Sequence, residues 1–545
     1  MELTINIFTN HFNNLPTVTS NKLIILVAMF LILFDNFTFF SNVLAIYPLN
    51  LNNLVFLFSL LWVFTGFSFL MLAIASFKFT VKPVLISILV ISSFTSYFMD
   101  TYKTIIDTSM IHNTLNTDLA ESLDLFSYKL VLYVLFLGIL PSYLVYKIPV
   151  VASTAWQELK SRLILIVATV LSILLLIYAL GDYYGSFFRE HKSIRYYSNP
   201  GSYIYSSGKY IGDIFKSQDQ ILKEIGTDAR APVTDPHREL IIFVVGETAR
   251  ADRFSLNGYV RDTNPLLKKE HVISYTDFWS CGTSTAISVP CMFSIYNSAD
   301  FDIQKGKSTE NVLDILQRAG VNVLWLDNNS SSKGVADRIE NHSFKEPDIN
   351  PECDIECRDT GMLTNLQSYI DQHPEGDIFI VLHQMGQHGP AYYKRYPAEF
   401  EKFTPVCKTN QLENCTEQEL NNAYDNDILY TDYFLSKVIS FLKTNDNQYE
   451  TAMLYVSDHG ESLGENGLYL HGLPNFIAPD VQRHVPAILW LGQGMHDIDL
   501  TLNAKNKDKR FSHDNLFHTL LGLMEMNSEV YDVSNDMLIH SVEYE

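Results

Sequence analysis

The sequence predicts two domains of different kinds: a membrane domain of five α-helices, followed by an α/β domain outside the cytoplasm. Three observations lead there. Five long apolar stretches crowd the first third of the chain. Short apolar runs alternate with helical patterns over the rest. All 6 cysteines lie at or after Cys281. A chain of 545 residues is also too long for one ordinary core.

The apolar stretches fall near 23–46, 54–76, 84–99, 130–146 and 163–180. A span needs about 20 apolar residues, and the third and fourth are short or interrupted. The first is not a cleaved signal peptide, since it lacks a small-residue cleavage site and more spans follow. Basic residues set the orientation. Lys78 and Lys82 follow the second stretch, and Lys147, Lys160 and Arg162 follow the fourth. The loop after the third is mainly acidic, with Asp107, Asp118, Glu121 and Asp124. The amino terminus is therefore expected in the cytoplasm, and everything after residue 182 outside it. Cysteines confined to the later part fit an oxidising compartment.

Residues 1–182 are thus read as the membrane domain and 183–238 as a connector. The connector alternates Tyr183, Tyr184, Phe187, Phe188, Tyr196 and Tyr197 with Arg189, Lys192 and Arg195. Such a mixture suits an interfacial segment that includes an amphipathic helix. The formal net charge of −22, carried mostly after residue 210, argues against nucleic acid as a partner.

From residue 239 to 545 the pattern is that of a sheet covered on both faces. Apolar runs at 240–245, 321–326, 378–382, 453–456 and 487–489 are separated by helical segments. They predict a parallel or mixed sheet. Open α/β sheets bind ligands at the carboxyl ends of their strands. Here the first run leads into Gly246-Glu247-Thr248, and the fourth into Ser457-Asp458-His459-Gly460-Glu461. The third leads into His383 and then Gly386-Gln387-His388. Glu247, Asp458 and His459 offer two oxygens and a nitrogen, a donor set zinc accepts.

A nucleophile is expected in Cys281-Gly-Thr-Ser-Thr-Ala-Ile-Ser-Val-Pro-Cys291. A hydroxyl beside zinc loses its proton more readily and attacks phosphorus. A helix beginning here would aim backbone N–H groups at an anion. Composition leaves Thr283, Ser284, Thr285 and Ser288 open. Six cysteines allow 15 pairings; neighbours are expected to bond, giving Cys281/Cys291, Cys353/Cys357 and Cys407/Cys415.

These segments resemble the lipid A phosphoethanolamine transferases, the family that includes the mobile colistin-resistance enzymes. The resemblance covers nearly the whole chain. It is carried by Val245-Gly-Glu-Thr-Ala-Arg250, Ser280-Cys-Gly-Thr-Ser-Thr-Ala286, Val289-Pro-Cys-Met292, Asp327-Asn-Asn-Ser330 with Ser332-Lys-Gly334, Gly386-Gln-His-Gly-Pro390 and Ser457-Asp-His-Gly-Glu461. It implies an alkaline-phosphatase/sulfatase-like fold for the second domain, in the periplasm of a Gram-negative cell, anchored in the inner membrane. It implies Zn2+ on Glu247, Thr285, Asp458 and His459, with Thr285 as the nucleophile. His388 and His471 would serve the substrate or a second metal, and Ser330 and Lys333 would contact phosphoethanolamine. The three neighbouring disulfides are implied as well. Asn113, Thr117 and Glu121 recur every four residues, which places them on one helix face. In the family that segment helps hold the lipid head group, with Glu121 facing its ammonium.

The reaction so implied takes phosphoethanolamine from phosphatidylethanolamine to a lipid A phosphate through a covalent threonine intermediate. Diacylglycerol leaves, and the product resists polymyxins and other cationic peptides. A monomer is expected. Four rivals follow from the same residues. One moves phosphoethanolamine to another lipopolysaccharide or glycan acceptor, and one is a phosphoglycerol transferase. A sulfatase would need Cys/Ser-x-Pro-x-Arg, whereas Ser288-Val-Pro-Cys-Met292 ends in Met. A non-catalytic sensor would have lost ligands, and none is missing.

Overall fold

A computed structural model describes residues 16–117, 119–151, 153–217, 222–231 and 237–541. The chain divides into two compact units, Met1–Ile111 with Phe126–Tyr210, and His112–Leu125 with Ile211–Glu545.

The first unit is helical. Among the described residues four helices are long and apolar enough to cross a membrane: Leu51–Ala75, Val81–Tyr102, Tyr128–Lys147 and Ala155–Ala179. A fifth span is reached if Ser20–Phe34 and Phe37–Ile46, bent by 60°, act as one. The first apolar stretch is therefore not one straight helix. Asp35 and Asn36 interrupt it, and the Asn36 side-chain amide donates to the carbonyls of Leu31, at 2.9 Å, and Asn199, at 2.7 Å. The last helix begins earlier than its apolar run. Thr154 and Gln157 form a capping box, which satisfies two of the orphan N–H groups at a helix start. Arg162, read from sequence as a loop residue, lies inside that helix, buried and paired with Glu158 at 2.8 Å. Tyr128–Lys147 contains a π-helical turn, Val134–Ile139. There a Cβ on Gly138 would come within 2.6 Å of Ser93 Oγ.

The segment carrying Asn113, Thr117 and Glu121 is two short helices, Thr108–Asn116 and Leu119–Asp124, rather than one continuous face. Thr117 lies at the break, with its hydroxyl donating to the Asn113 carbonyl at 2.8 Å. Side-chain bonding of this kind competes with helix continuation.

The second unit is built on a seven-stranded sheet. In chain order the strands are β1 (Glu239–Gly246), β2 (Ile273–Tyr275), β3 (Asn322–Asp327), β4 (Glu340–Ser343), β5 (Ile378–His383), β6 (Glu450–Ser457) and β7 (Ala487–Leu491). Their order across the sheet is β2-β7-β6-β1-β5-β3-β4. The five strands from β6 to β4 run parallel, and β7 pairs antiparallel with β6. The sheet is thus mixed. Alternate residues of β1 feed two cores. Ile241, Phe243 and Val245 pack on one face, and Leu240, Ile242 and Val244 on the other. The long helix Glu417–Asn445 covers the second face through Tyr424, Ile428, Phe434 and Leu435. Residues of Val312–Arg318 and Leu516–Leu523 cover the first.

Candidate active site and metal centre

β1 and β6 are parallel neighbours, with Gly246 opposite Ser457. Glu247 and Asp458 therefore leave adjacent strands at one level. Glu247, Asp458 and His459 are each 0% exposed, and one ligand atom from each lies within 4.8 Å of the others. His459 Nε2 is 3.4 Å from Glu247 Oε1 and 3.4 Å from Asp458 Oδ2.

The surroundings orient these groups. Asp458 Oδ1 accepts from the backbone of Thr248 at 3.2 Å and of His459 at 2.7 Å. Its Oδ2 has no hydrogen-bond partner among the described residues. His459 Nδ1 faces the Gly460 carbonyl at 3.0 Å. That contact places the ring proton on Nδ1 and leaves Nε2 as a lone-pair donor. Thr248 adopts φ 51°, a left-handed conformation costly for a β-branched residue. Its carbonyl accepts from the Tyr424 hydroxyl at 2.6 Å, which holds the turn. Gly386, at φ 48°, passes so close that a Cβ there would meet the Glu247 carbonyl at 2.9 Å.

Of the four hydroxyls left open by composition, Thr285 is the one beside these groups. Its Oγ1 is 3.1 Å from Glu247 Oε2, 3.3 Å from Oε1 and 3.4 Å from His459 Nε2. Thr283 instead donates to the Leu473 carbonyl at 2.6 Å. The buried Ser284 and Ser288 hydroxyls have no partner among the described residues. Thr285 is the first residue of the helix Thr285–Met292, whose N-cap is Ser284. A disulfide from Cys281 to Cys291 staples the approach loop to that helix, and Cys353–Cys357 and Cys407–Cys415 are bonded as well.

Burial raises Asp458 to about 6, opposed by His383 and backbone N–H groups. Burial, reinforced by His471, holds His459 well below the usual imidazole value. Two buried carboxylates beside a neutral imidazole, one oxygen without a partner, fit a divalent cation by donor chemistry.

Of the other predicted residues, His471 and His388 lie beside these groups. The His471 ring lies 4.4 Å from that of His459 and 5.7 Å from that of His388. His471 Nδ1 contacts the buried Glu461 at 2.9 Å. Burial and then His471 hold His388 well below the ordinary value, and its Nδ1 has no partner among the described residues. Lys333 Nζ donates to Ser330 Oγ at 2.5 Å. Asn113 and Thr117 are half-buried; the side chain of Glu121 lies outside the described residues. The neighbouring His112 is lowered to about 4 by burial, then by the positive charges of Lys307 and Lys333.

Two sequence families match. The one described as phosphoethanolamine transferase EptA/EptB covers residues 64–214, and the one described as sulfatase covers 239–526. The Escherichia coli phosphatidylethanolamine transferase Mcr-1 is 44% identical over 94% of this chain and 96% of its own. The Salmonella typhimurium phosphoethanolamine transferase EptA is 40% identical, over 92% and 93%. The integral membrane lipooligosaccharide phosphoethanolamine transferase A of Neisseria meningitidis superposes with a TM-score of 0.91 at 36% identity, covering 96% of this chain and 99% of that one. The chain belongs to the phosphoethanolamine transferase family. This transferase is an integral membrane protein with its sulfatase-like α/β unit in the periplasm.

The sequence reading passed over Asn329, although it lies inside the motif Asp327-Asn-Asn-Ser330. Its amide donates to Glu247 Oε2 at 2.8 Å and to the Gln384 carbonyl at 2.7 Å. Asp327 and His383 were also without assigned partners. They face each other across β3 and β5 at 3.0 Å. Burial would raise Asp327, but His383 and Trp325 outweigh it and hold the carboxyl below its usual value. The one signal for Asn329 in the sequence is its place beside Ser330 just after a strand end; its burial and its partners come only from the fold.

Proposed function

We propose that this transferase moves phosphoethanolamine from phosphatidylethanolamine to a phosphate of lipid A through a phosphoethanolamine ester on Thr285. The observation that carries the reading is the Thr285 hydroxyl, 3.1 Å from Glu247 and 3.4 Å from His459, among groups fitted to hold zinc. Zinc held by Glu247, Thr285, Asp458 and His459 would supply Lewis acidity and favour the ionised hydroxyl.

The residues do the rest. Glu247 aligns the Thr285 oxygen and is the nearest acceptor for its proton. The oxygen attacks phosphorus, the bond from phosphorus to diacylglycerol breaks, and the leaving oxygen takes up a proton. A lipid A phosphate oxygen then attacks the same phosphorus and frees Thr285. Lys333 and Ser330 offset charge on the transferred phosphate. His388, neutral because it is buried, is suited to proton transfer, with His471 beside it. Asn113, Thr117 and Glu121 would hold the lipid head group. Both substrates are lipids, which gives the membrane anchor a purpose. In this scheme residues 1–182 anchor, 183–238 connect at the interface and 239–545 catalyse. One chain supplies every named group, so a monomer suffices.

Intact-mass analysis of the purified protein given phosphatidylethanolamine tests the first step. A phosphoethanolamine adduct on Thr285 is expected; an adduct on Ser284 or Ser288 overturns the assignment. Lipid A from a sensitive Gram-negative host expressing the chain should gain the mass of phosphoethanolamine. An adduct on Thr285 without that gain would point to another acceptor.

A further inference from the structure

At the opposite end of β1 and β6 lies a second group of carboxylates. Glu239 opens β1 and Glu450 opens β6, and the two are register partners on adjacent parallel strands. Asp497 approaches from the segment after β7. One oxygen from each of the three lies within 4.8 Å of the others. β1 rises about 3.3 Å per residue, so Glu239 sits roughly 25 Å from Glu247. This cluster is separate from the catalytic centre.

Glu239 is only 2% exposed, and neither of its carboxylate oxygens has a hydrogen-bond partner among the described residues. A buried carboxylate is ordinarily hydrogen-bonded, paired or bound to metal. No Lys or Arg is paired with Glu239 or Asp497 among the described residues; His237 Nδ1, on an exposed ring, is 3.4 Å from Glu450 Oε1. Asp377 and Glu525 add further negative charge. Burial, then Glu450, Glu525, Asp377 and Asp497, push Glu239 up to about 10.

We propose that Glu239, Glu450 and Asp497 bind a calcium ion that ties the starts of β1 and β6 to the segment after β7. The donors are all oxygen, which selects a hard cation over zinc or copper. Calcium bonds of about 2.3–2.6 Å let one ion touch three oxygens spaced this way. Asp497 is half-buried, so water has access to fill the remaining positions of a six- to eight-oxygen shell. Magnesium demands a stricter octahedron than two neighbouring strand ends readily provide. The ion's role is structural: it neutralises acid at a buried strand end far from the reacting atoms.

The full chain in detergent, with zinc retained and calcium removed by passage of all buffers over a chelating resin, is titrated with calcium chloride. Heat of binding and the thermal midpoint are followed together, for wild type, Glu239→Gln and Asp497→Asn. Wild type is expected to bind one calcium and to gain thermal stability as it saturates. Each variant should bind calcium at least tenfold more weakly. Without calcium, Glu239→Gln should unfold at the same or a higher temperature than wild type, because it removes a buried acid whose ionisation the neighbouring carboxylates oppose. The half-exposed Asp497→Asn keeps the test informative if Glu239→Gln folds poorly. Equal calcium responses in all three proteins overturn the proposal. So does the absence of calcium binding in wild type, which would leave a proton as the neutralising species. Saturation by zinc or magnesium but not calcium overturns it too.

Discussion

Asn329 gives the sharpest test of how Thr285, the proposed nucleophile, is held. Its amide supplies two hydrogen bonds, to Glu247 Oε2 at 2.8 Å and to the Gln384 carbonyl at 2.7 Å. Its oxygen accepts from the Ser330 backbone at 2.5 Å and from the Ser330 hydroxyl at 3.0 Å. The bond to an ionised acceptor is worth about 1.5–3 kcal/mol and the neutral ones about 1 kcal/mol each. Truncation to alanine should therefore cost roughly 4.5–6 kcal/mol locally. If about 2 kcal/mol of that is the orientation of Glu247, formation of the Thr285 adduct slows about 30-fold, since 1.36 kcal/mol is tenfold in rate. Asn329→Asp separates this account from simple space filling. It keeps the volume but turns a donor into a charged acceptor facing Glu247, so it should slow the adduct at least as much as Asn329→Ala. The assay is single-turnover adduct formation by intact mass, normalised to zinc content. An Asp variant within threefold of wild type, beside a slow Ala variant, would refute the donor argument and leave only packing.

Three further outcomes follow from the same geometry. Chelating the metal should lower the thermal midpoint of the full chain, and zinc should restore it, because Glu247 and Asp458 are buried carboxylates in need of a cation. An unchanged midpoint after complete metal loss, verified by elemental analysis, would count against that site. Arg395 is buried between Asp124 at 2.8 Å and Glu356 at 2.5 Å. Arg395→Met should thus cost about 3–5 kcal/mol by urea unfolding and expose 112–125 to protease. Asp432, 1% exposed, accepts from the backbone of Leu266 and Leu267, and burial raises it to about 7. Its folded value exceeds the unfolded one, so the folded state binds the extra proton. Stability from this group is present below about 4 and is lost as pH rises to about 7, at up to about 1.4 kcal/mol per unit. Asp432→Asn should flatten that slope.

The parts of the fold legible in sequence were those with strong local patterns. β1, β3, β5, β6 and β7 are apolar runs buried on both faces, and each was found within a few residues. β2 has three residues, and β4 reads Glu-Asn-His-Ser and is exposed throughout, so neither carries a periodic signal. The bend in the first apolar stretch was visible as Asp35-Asn36, two polar residues inside a hydrophobic run. The start of Ala155–Ala179 was hidden because its first turns are polar, held by a cap and by the Glu158–Arg162 pair. At the site, strand ends pointed to Glu247, Asp458 and His459, since a β-strand delivers its last residue to a known edge. Choosing among four hydroxyls needed tertiary geometry. So did Asn329, whose partners Glu247 and Gln384 are distant in sequence.

The segment His112–Leu125 shows why sequence order misleads about function here. It lies between two apolar helices in the chain, yet it belongs to the compact unit of the α/β sheet. Asp124 accounts for this: its carboxylate meets both Arg395 and Lys394, just after the His388 loop. The Arg395 Nε also donates to the His388 carbonyl at 2.6 Å. One guanidinium thus fixes the end of the 112–125 segment and the backbone of a proposed catalytic histidine. At the other end of the segment, His112 feels the charge of Lys333. The Asp124 ion pairs thus tether the segment carrying Asn113 and Thr117 to the His388 loop inside a single unit, whereas Lys333 only opposes a charge on His112. Groups proposed to read the lipid head group and groups proposed to handle its phosphate therefore belong to one compact unit, which favours positioning a diester phosphorus beside Thr285.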